Sequence, residues 1–141
     1  MYGRINLKNT NYKLLENDWH IEKFPDEQLI QQIYKDYCRH KKFKSVMPIF
    51  SSELRDEKND IILYKDNGKV VAFSILRRYD DKNVEAIQFA WNYENPAMRL
   101  GIESLKHECA FYKSKGFDYL YLGGADEYKR KIEGFEILGP I

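Results

Sequence analysis

The chain has 141 residues, 43% of them hydrophobic and 32% charged, with a formal net charge of +1; one compact domain spanning residues 1–141, with a sizeable core, is the expectation. A near-neutral balance gives no whole-protein field for nucleic acid or an anionic membrane, and no run approaches the ~20 apolar residues of a membrane span. Cys38 and Cys109, both on predicted helix faces, argue against a disulfide framework, and MYGRINLKNT has no apolar signal core, so a cytoplasmic location is the default expectation.

Residues 1–11 are polar and are expected to form a loose lead-in. Tyr12–Ile21 mixes aliphatic, aromatic and charged residues and reads as a first strand. Phe24-Pro25-Asp26-Glu27 opens a helix, with proline early and acids where the helix dipole favours them. Leu29, Ile30, Ile33, Tyr34, Tyr37 and Cys38 then form an apolar stripe that runs to about Phe43. The basic run Arg39–Lys44 suits the negative end of that helix, which makes a solvated helix end the first reading and a phosphate-binding patch the second. The long connection Lys44–Asp60 is expected to be a substrate-side lid with a helical turn near Ser51–Lys58. Ile61–Tyr64 and Lys69–Leu76 read as strands joined through Asn67-Gly68, because both central residues of a type I′ turn need positive φ.

Val84–Tyr93 is the next strand. Strict alternation puts Glu85, Ile87, Phe89, Trp91 and Tyr93 on one face and Ala86, Gln88, Ala90 and Asn92 on the other. The smaller, more polar face is the expected cleft lining, with Glu94 at its end. Asn95 can cap the following helix and Pro96 fits its first position. Ile102, Leu105, Cys109 and Tyr112 recur at helical spacing, Gly116 supplies the stop, and Phe117 can fold back on the last turn. Phe117–Leu122 returns as a strand, so the crossover makes two parallel neighbours. Ala125–Glu133 reads as a short helix or loop and Phe135–Ile141 as a last strand. The fold class is therefore α/β, a mixed, mostly antiparallel sheet with one parallel pair and flanking helices.

This order resembles the GNAT-type acyltransferases, as does the pattern Gly116-Phe117…Tyr119-Leu120-Tyr121-Leu122-Gly123-Gly124…Tyr128…Gly134-Phe135. More locally, Leu100-Gly101-Ile102-Glu103-Ser104-Leu105 and Lys115–Gly123 are similar to aminoacyl-tRNA–protein transferases and Fem-type peptidyl transferases; this narrower likeness covers residues 95–139. The resemblance implies an N-acyltransferase that moves an acyl group, acetyl above all, from a CoA thioester to a small-molecule or peptide amine. A tRNA-dependent aminoacyl transfer in the same cleft and a non-catalytic binding module are the alternatives. It places the donor at Trp91, Asn92, Tyr93, Met98, Arg99, Leu100, Gly101 and Ile102, where a helix N-terminus offers unpaired N–H groups to phosphate. Met98 and Glu103 depart from the acetyl-CoA loop pattern, and Arg99 is close enough to compensate. The resemblance also places a carbonyl-polarising backbone N–H near Trp91–Tyr93 and gives Tyr128 the role of general acid for the departing sulfur.

Glu94 is the favoured base or amine-recruiting carboxylate, with Glu85 and Asp126 as rivals. His20, His40 and His107 show no metal-ligand spacing, so no metal is expected. His107 is expected to pair with Glu103 on the solvent face of the helix. Both cysteines read as buried structural thiols.

Overall fold

The computed structural model describes residues 3–43, 49, 51–122 and 127–138, with the backbone alone for Glu127 and Tyr128. Its strands are β1 (Gly3–Asn6), β2 (Trp19–Ile21), β3 (Asn59–Asp66), β4 (Lys69–Arg78), β5 (Asn83–Trp91), β6 (Tyr119–Leu122) and β7 (Phe135–Ile137). The helices are α1 (Glu27–Lys41), α2 (Ser51–Arg55) and α3 (Leu100–Ser114). All seven strands form one sheet in the order β2-β3-β4-β5-β6-β1-β7. Only β5 and β6 run parallel among these pairs; the others are antiparallel.

The local chemistry accounts for most boundaries. Asp26 accepts hydrogen bonds from the Gln28 and Leu29 N–H groups and so caps α1. Asn67 and Gly68 both take positive φ, 52° and 80°, between β3 and β4, as a type I′ turn requires. At the end of α3 the Phe117 N–H donates to the Tyr112 carbonyl, and the two rings meet at 5.2 Å. That is the helix stop expected at Gly116.

Two apolar layers sandwich the sheet. Ile30, Ile33, Tyr34 and Cys38 of α1 pack with Ile61, Leu63, Phe73, Ile75 and Ala90. Leu105, Cys109 and Tyr112 of α3 pack with Ile62, Tyr64, Ala72, Leu76, Val84 and Trp91. Cys38 and Cys109 are buried and unbridged.

Four expectations are corrected. The supposed loose lead-in contains β1, which sits between β6 and β7, and its Ile5 is 0% exposed. Gly134 makes that insertion possible: at φ 76° its carbonyl accepts the Asn6 N–H, and a Cβ there would lie 2.4 Å from the Asn6 carbonyl oxygen. Of Tyr12–Ile21, only Trp19–Ile21 is strand, paired with β3 at the sheet edge. Pro96–Met98 forms a separate 3₁₀ turn, and α3 begins at Leu100 after Arg99 adopts a left-handed φ of 49°. Asn95 caps nothing; its side chain donates to Asp66 instead.

The fourth correction concerns β5. Its register against β4 slips between the pairs Ile75–Gln88 and Leu76–Ala86, leaving Ile87 as an extra, exposed residue. A bulge exchanges the faces beyond it. Val84 and Ala86 therefore share the α3 side with Phe89 and Trp91, while Ala90 belongs to the α1 layer. Of the proposed lid, Ser51–Arg55 is helical as expected, and 44–48 and 50 lie outside the described residues.

Candidate functional site

The parallel ladder between β5 and β6 joins Asn83–Ala86 to Tyr119–Leu122 and goes no further among the described residues, although β5 continues to Trp91. Five residues of β5 thus extend past the last β6 pairing. A cavity of about 560 Å³ opens beside that stretch of β5. Phe89, Trp91 and Tyr93 form its floor, Arg99, Gly101, Ile102 and Lys106 its α3 side, and Tyr37 and Lys41 of α1 its third wall. Tyr12, Lys131, Ile132 and Glu133 complete it.

The walls are aromatic and their edges cationic. The Tyr93 ring stacks on Tyr37 at 6.0 Å and on His40 at 3.7 Å, and Trp91 lies tilted against it at 4.3 Å. Tyr37 also meets Phe89 edge-on at 6.2 Å. Lys41 Nζ lies 6.0 Å from the ring centres of Tyr37 and Tyr93, and Lys106 Nζ lies 5.8 Å from that of Tyr12. Lys41, Arg99, Lys106 and Lys131 face a single carboxylate, Glu133, among the lining residues. A space with four cations against one anion, over aromatic walls, favours a ligand with both apolar surface and negative charge.

The N-terminus of α3 borders this space. Its own hydrogen bonds begin with the Ile102 and Glu103 N–H groups donating to the Arg99 carbonyl. The Leu100 and Gly101 N–H groups precede them, at the positive end of the helix dipole. Among the described residues, a Cβ on Gly101 would meet no atom within 4 Å beyond its chain neighbours and its own helix backbone, so this helix start faces the cavity. Glu103 turns aside to Lys106, 3.7 Å away, and does not line the cavity. Two non-glycine residues in the left-handed region, Tyr93 (φ 60°) and Arg99 (φ 49°), bracket the turn between β5 and α3. Each conformation costs about 1–2 kcal/mol, and strain of this kind collects where a site requires a particular backbone path.

Of the residues expected to hold a donor, Trp91, Tyr93, Arg99, Gly101 and Ile102 line the cavity. Leu100 is buried in the core, Met98 packs against that core, and Asn92 accepts the Glu94 N–H through its side chain. The Asn92 N–H itself donates to the Val71 carbonyl across β4, which removes it as a carbonyl-polarising group. Glu94 lies outside the lining, in an exposed ion pair with Lys69 at 2.9 Å. Glu85 hydrogen-bonds the Tyr79 hydroxyl. Tyr128 lies on the 3₁₀ turn Glu127–Lys131, its side chain outside the described residues, as is Asp126. The small face of β5, expected to line the cleft, packs Ala90 into the α1 layer; the bulge at Ile87 gives the cavity the aromatic face instead.

Tyr12, Tyr37, Lys41, Phe89, Lys106, Lys131, Ile132 and Glu133 were not anticipated as site residues. Lys106 had a readable signal, since it follows Ile102 by four and shares its helix face. Lys41 belongs to the basic run Arg39–Lys44, for which a solvated helix end was the first reading and a phosphate-binding patch the second; Lys131 closes a second basic run, Lys129-Arg130-Lys131.

Away from the cavity lining, α3 buries the ionisable neighbours His107 and Glu108. His107 is 1% exposed rather than paired with Glu103; its Nδ1 accepts the Leu15 N–H at 3.0 Å, and burial lowers its pKa to about 4. Glu108 is 3% exposed and receives the hydroxyls of Tyr64 at 2.5 Å and Ser74 at 2.6 Å. Burial pushes its pKa up to about 7 against the pull of those two hydrogen bonds. No group of His, Cys, Asp and Glu suited to a metal ion occurs among the described residues.

No protein-family model and no curated protein matches the sequence. Solved structures do match in fold. Saccharomyces cerevisiae N-myristoyltransferase with bound myristoyl-CoA superposes with a TM-score of 0.68 at 12% identity, over 95% of this chain and 45% of that one. L-PGS from Bacillus licheniformis gives 0.59 at 16% identity, over 88% and 46%. A GCN5-related N-acetyltransferase from Kribbella flavida gives 0.54 at 14% identity, over 96% and 52%. The chain thus spans about half the length of these proteins. At such identities the likeness concerns the backbone, and it is the GNAT-type acyltransferase fold.

Proposed function

We propose, with the GNAT-type fold as premise, that the chain is an N-acyltransferase taking an acyl group from a CoA thioester to an amine. The observation that carries this reading is the coincidence of three features at one place. The described β5–β6 pairing ends at Ala86 and Leu122, α3 presents its N-terminus, and Lys41, Arg99, Lys106 and Lys131 surround the same cavity. Helix-end N–H groups and guanidinium or ammonium side chains are the groups that recognise a pyrophosphate. The open volume at Gly101 leaves room for one to approach.

A bound thioester supplies an activated carbonyl and a thiolate leaving group. For the carbonyl, β5 past its last described β6 pair offers a donor. The Asn92 N–H points to β4, so strand alternation turns the Trp91 N–H to the opposite edge, beyond the last β6 pairing. A backbone donor there stabilises oxyanion charge as it develops. Tyr128, on the turn that brings Lys131 to the cavity, is the proposed acid for the sulfur. Glu133 replaces Glu94 as the preferred carboxylate for drawing in and deprotonating the amine, because it lines the cavity while Glu94 is engaged by Lys69.

The cationic ring also favours a second reading, transfer from an aminoacyl-tRNA, whose phosphates would use the same groups together with Arg39. The acceptor is expected to be a small-molecule or peptide amine. A thermal-shift titration separates the donors: CoA and acetyl-CoA should raise Tm in proportion to RT ln(1 + [L]/Kd). Stabilisation by tRNA alone, fading steeply with salt, would replace the first reading by the second, and no response to either would leave a binding module.

A further inference from the structure

We infer that His107 is a positioning residue for the cavity, the buckle of a strap formed by residues 10–19, an inference that rests on the acyltransferase reading for its functional consequence. Between Asn11 and Asp18 the chain lies outside any helix or strand, so its backbone polar groups need partners from elsewhere. Leu15 finds both in side chains. Its N–H donates to His107 Nδ1 at 3.0 Å, and its carbonyl accepts Trp19 Nε1 at 2.9 Å. The backbone N–H can only donate, which fixes Nδ1 as the unprotonated nitrogen and places the imidazole proton on Nε2. That Nε2 is buried and has no hydrogen-bond partner among the described residues. The histidine therefore leaves one polar atom unsatisfied while the other holds the strap.

The strap ends in the cavity. The Tyr12 ring is one wall, with Lys106 Nζ at 5.8 Å, and its hydroxyl accepts the Glu133 N–H at 2.9 Å. Tyr12 thus ties α3 to the Lys131–Glu133 segment on the far side of the cavity. Below it, Lys113 Nζ holds the Thr10 carbonyl and the Trp19 ring packs against His107 at 4.3 Å and Phe111 at 6.0 Å. His107 is the member of this series that grips the middle of the strap. Its loss should free Tyr12 and, through Tyr12, the Glu133 amide.

Amide exchange tests this without reference to any ligand. In His107→Leu the Leu15 and Glu133 amides should exchange about tenfold faster, since the half-buried Leu15 donor has lost its acceptor and Tyr12 its hold on the strap. His107→Asn, whose side-chain oxygen can accept in the place of Nδ1, should restore much of that protection. Tyr12→Phe, which leaves α3 unaltered, should release Glu133 and leave Leu15 protected. The CoA affinity should follow Glu133 exchange across the set, weakest in His107→Leu and better in His107→Asn. Unchanged exchange at Leu15 in His107→Leu would overturn the inference, and so would release of Leu15 with Glu133 still protected. A His107→Leu chain that fails to fold transfers the decision to His107→Asn and Tyr12→Phe. If the native protein binds no CoA, the donor assignment falls, and the paired exchange readout still decides whether His107 holds the wall.

Discussion

Along α3, two stripes of the same helix serve opposite purposes. The stripe through Ile102 and Lys106 borders the cavity beside Gly101, with open volume at the glycine and charged groups at the edges. The stripe through Ser104, His107, Glu108 and Tyr112 is dry: Glu108 takes two hydroxyl hydrogen bonds, and Tyr112 donates to Asp60 at 2.7 Å. On the cavity side Ile102 packs at the edge of the core and Lys106 reaches Glu103 and the Tyr12 ring. The dry side uses nearly every polar atom within the protein, with His107 Nε2 as an exception. Binding and stability should therefore separate by helix face.

The strongest way to break that separation is from the dry side. Tyr112→Ala removes a buried ring that packs on Phe111 and Phe117 and bonds Asp60. It should cost about 3–5 kcal/mol in denaturant unfolding, with CoA affinity unchanged while the chain remains folded. A comparable loss of affinity under folded conditions would refute the division.

The pH dependence comes next. His107 titrates near 4 folded against 6.5 unfolded, so its contribution is whole above pH 6.5 and is lost as pH falls toward 4. Glu108 titrates near 7 against 4.5, so its contribution is whole below pH 4.5 and is lost as pH rises through 7. Each shift amounts to roughly 3 kcal/mol, and the slopes oppose one another between pH 4.5 and 6.5. Glu108→Gln should uncover the histidine, giving a chain that weakens on acidification through that interval. His107→Asn should uncover the glutamate and reverse the slope. Urea unfolding at several pH values reads both.

On the cavity side the expected effects on stability are smaller and opposite in sign to those on binding. Arg99→Gly relieves a left-handed arginine and should stabilise the fold by about 1 kcal/mol, yet weaken CoA about tenfold through the lost guanidinium. Gly101→Ala meets no side chain of the described residues within 4 Å outside its chain neighbours and improves helix propensity by up to about 1 kcal/mol, while placing a methyl group where a phosphate would approach. Calorimetry with titrated CoA measures both terms for each variant. The smallest effect belongs to Lys69→Ala, which severs an exposed pair with Glu94 and should change stability by less than ~1 kcal/mol.

The sequence was legible where local chemistry decides the outcome. The Asn67-Gly68 hairpin, the Asp26 end of α1, the Gly116 stop and the parallel β5–β6 pair all follow from residues close to the element concerned. Long-range partners decided the rest. Nothing in Gly3-Arg4-Ile5-Asn6 announces an interior strand, because β6 and β7, supplied from the other end of the chain, create that slot. The bulge at Ile87 exchanged two faces that alternation alone had fixed. His107 looked like a solvent-side partner of Glu103 because a segment far away in sequence covers it. Of the cavity lining, Trp91, Tyr93, Arg99, Gly101 and Ile102 were readable from the strand–turn–helix path. Tyr12, Lys131 and Glu133 were not, since only the closed sheet brings them to the cavity.

The place of β1 also bears on how the molecule is made. Gly3 pairs with Leu122 on one side and Ile137 on the other, so this strand leaves the ribosome long before either neighbour exists. The β3–β4–β5 meander and α1 can assemble from contacts near in sequence, whereas the β6–β1–β7 end requires closure of nearly the whole chain, a slow step. The cavity spans that boundary, its β5 floor belonging to the early part and Glu133 to the late one. A partly folded chain would thus possess a scaffold before it possesses a site, and recovery of ligand binding on refolding should lag behind recovery of secondary structure.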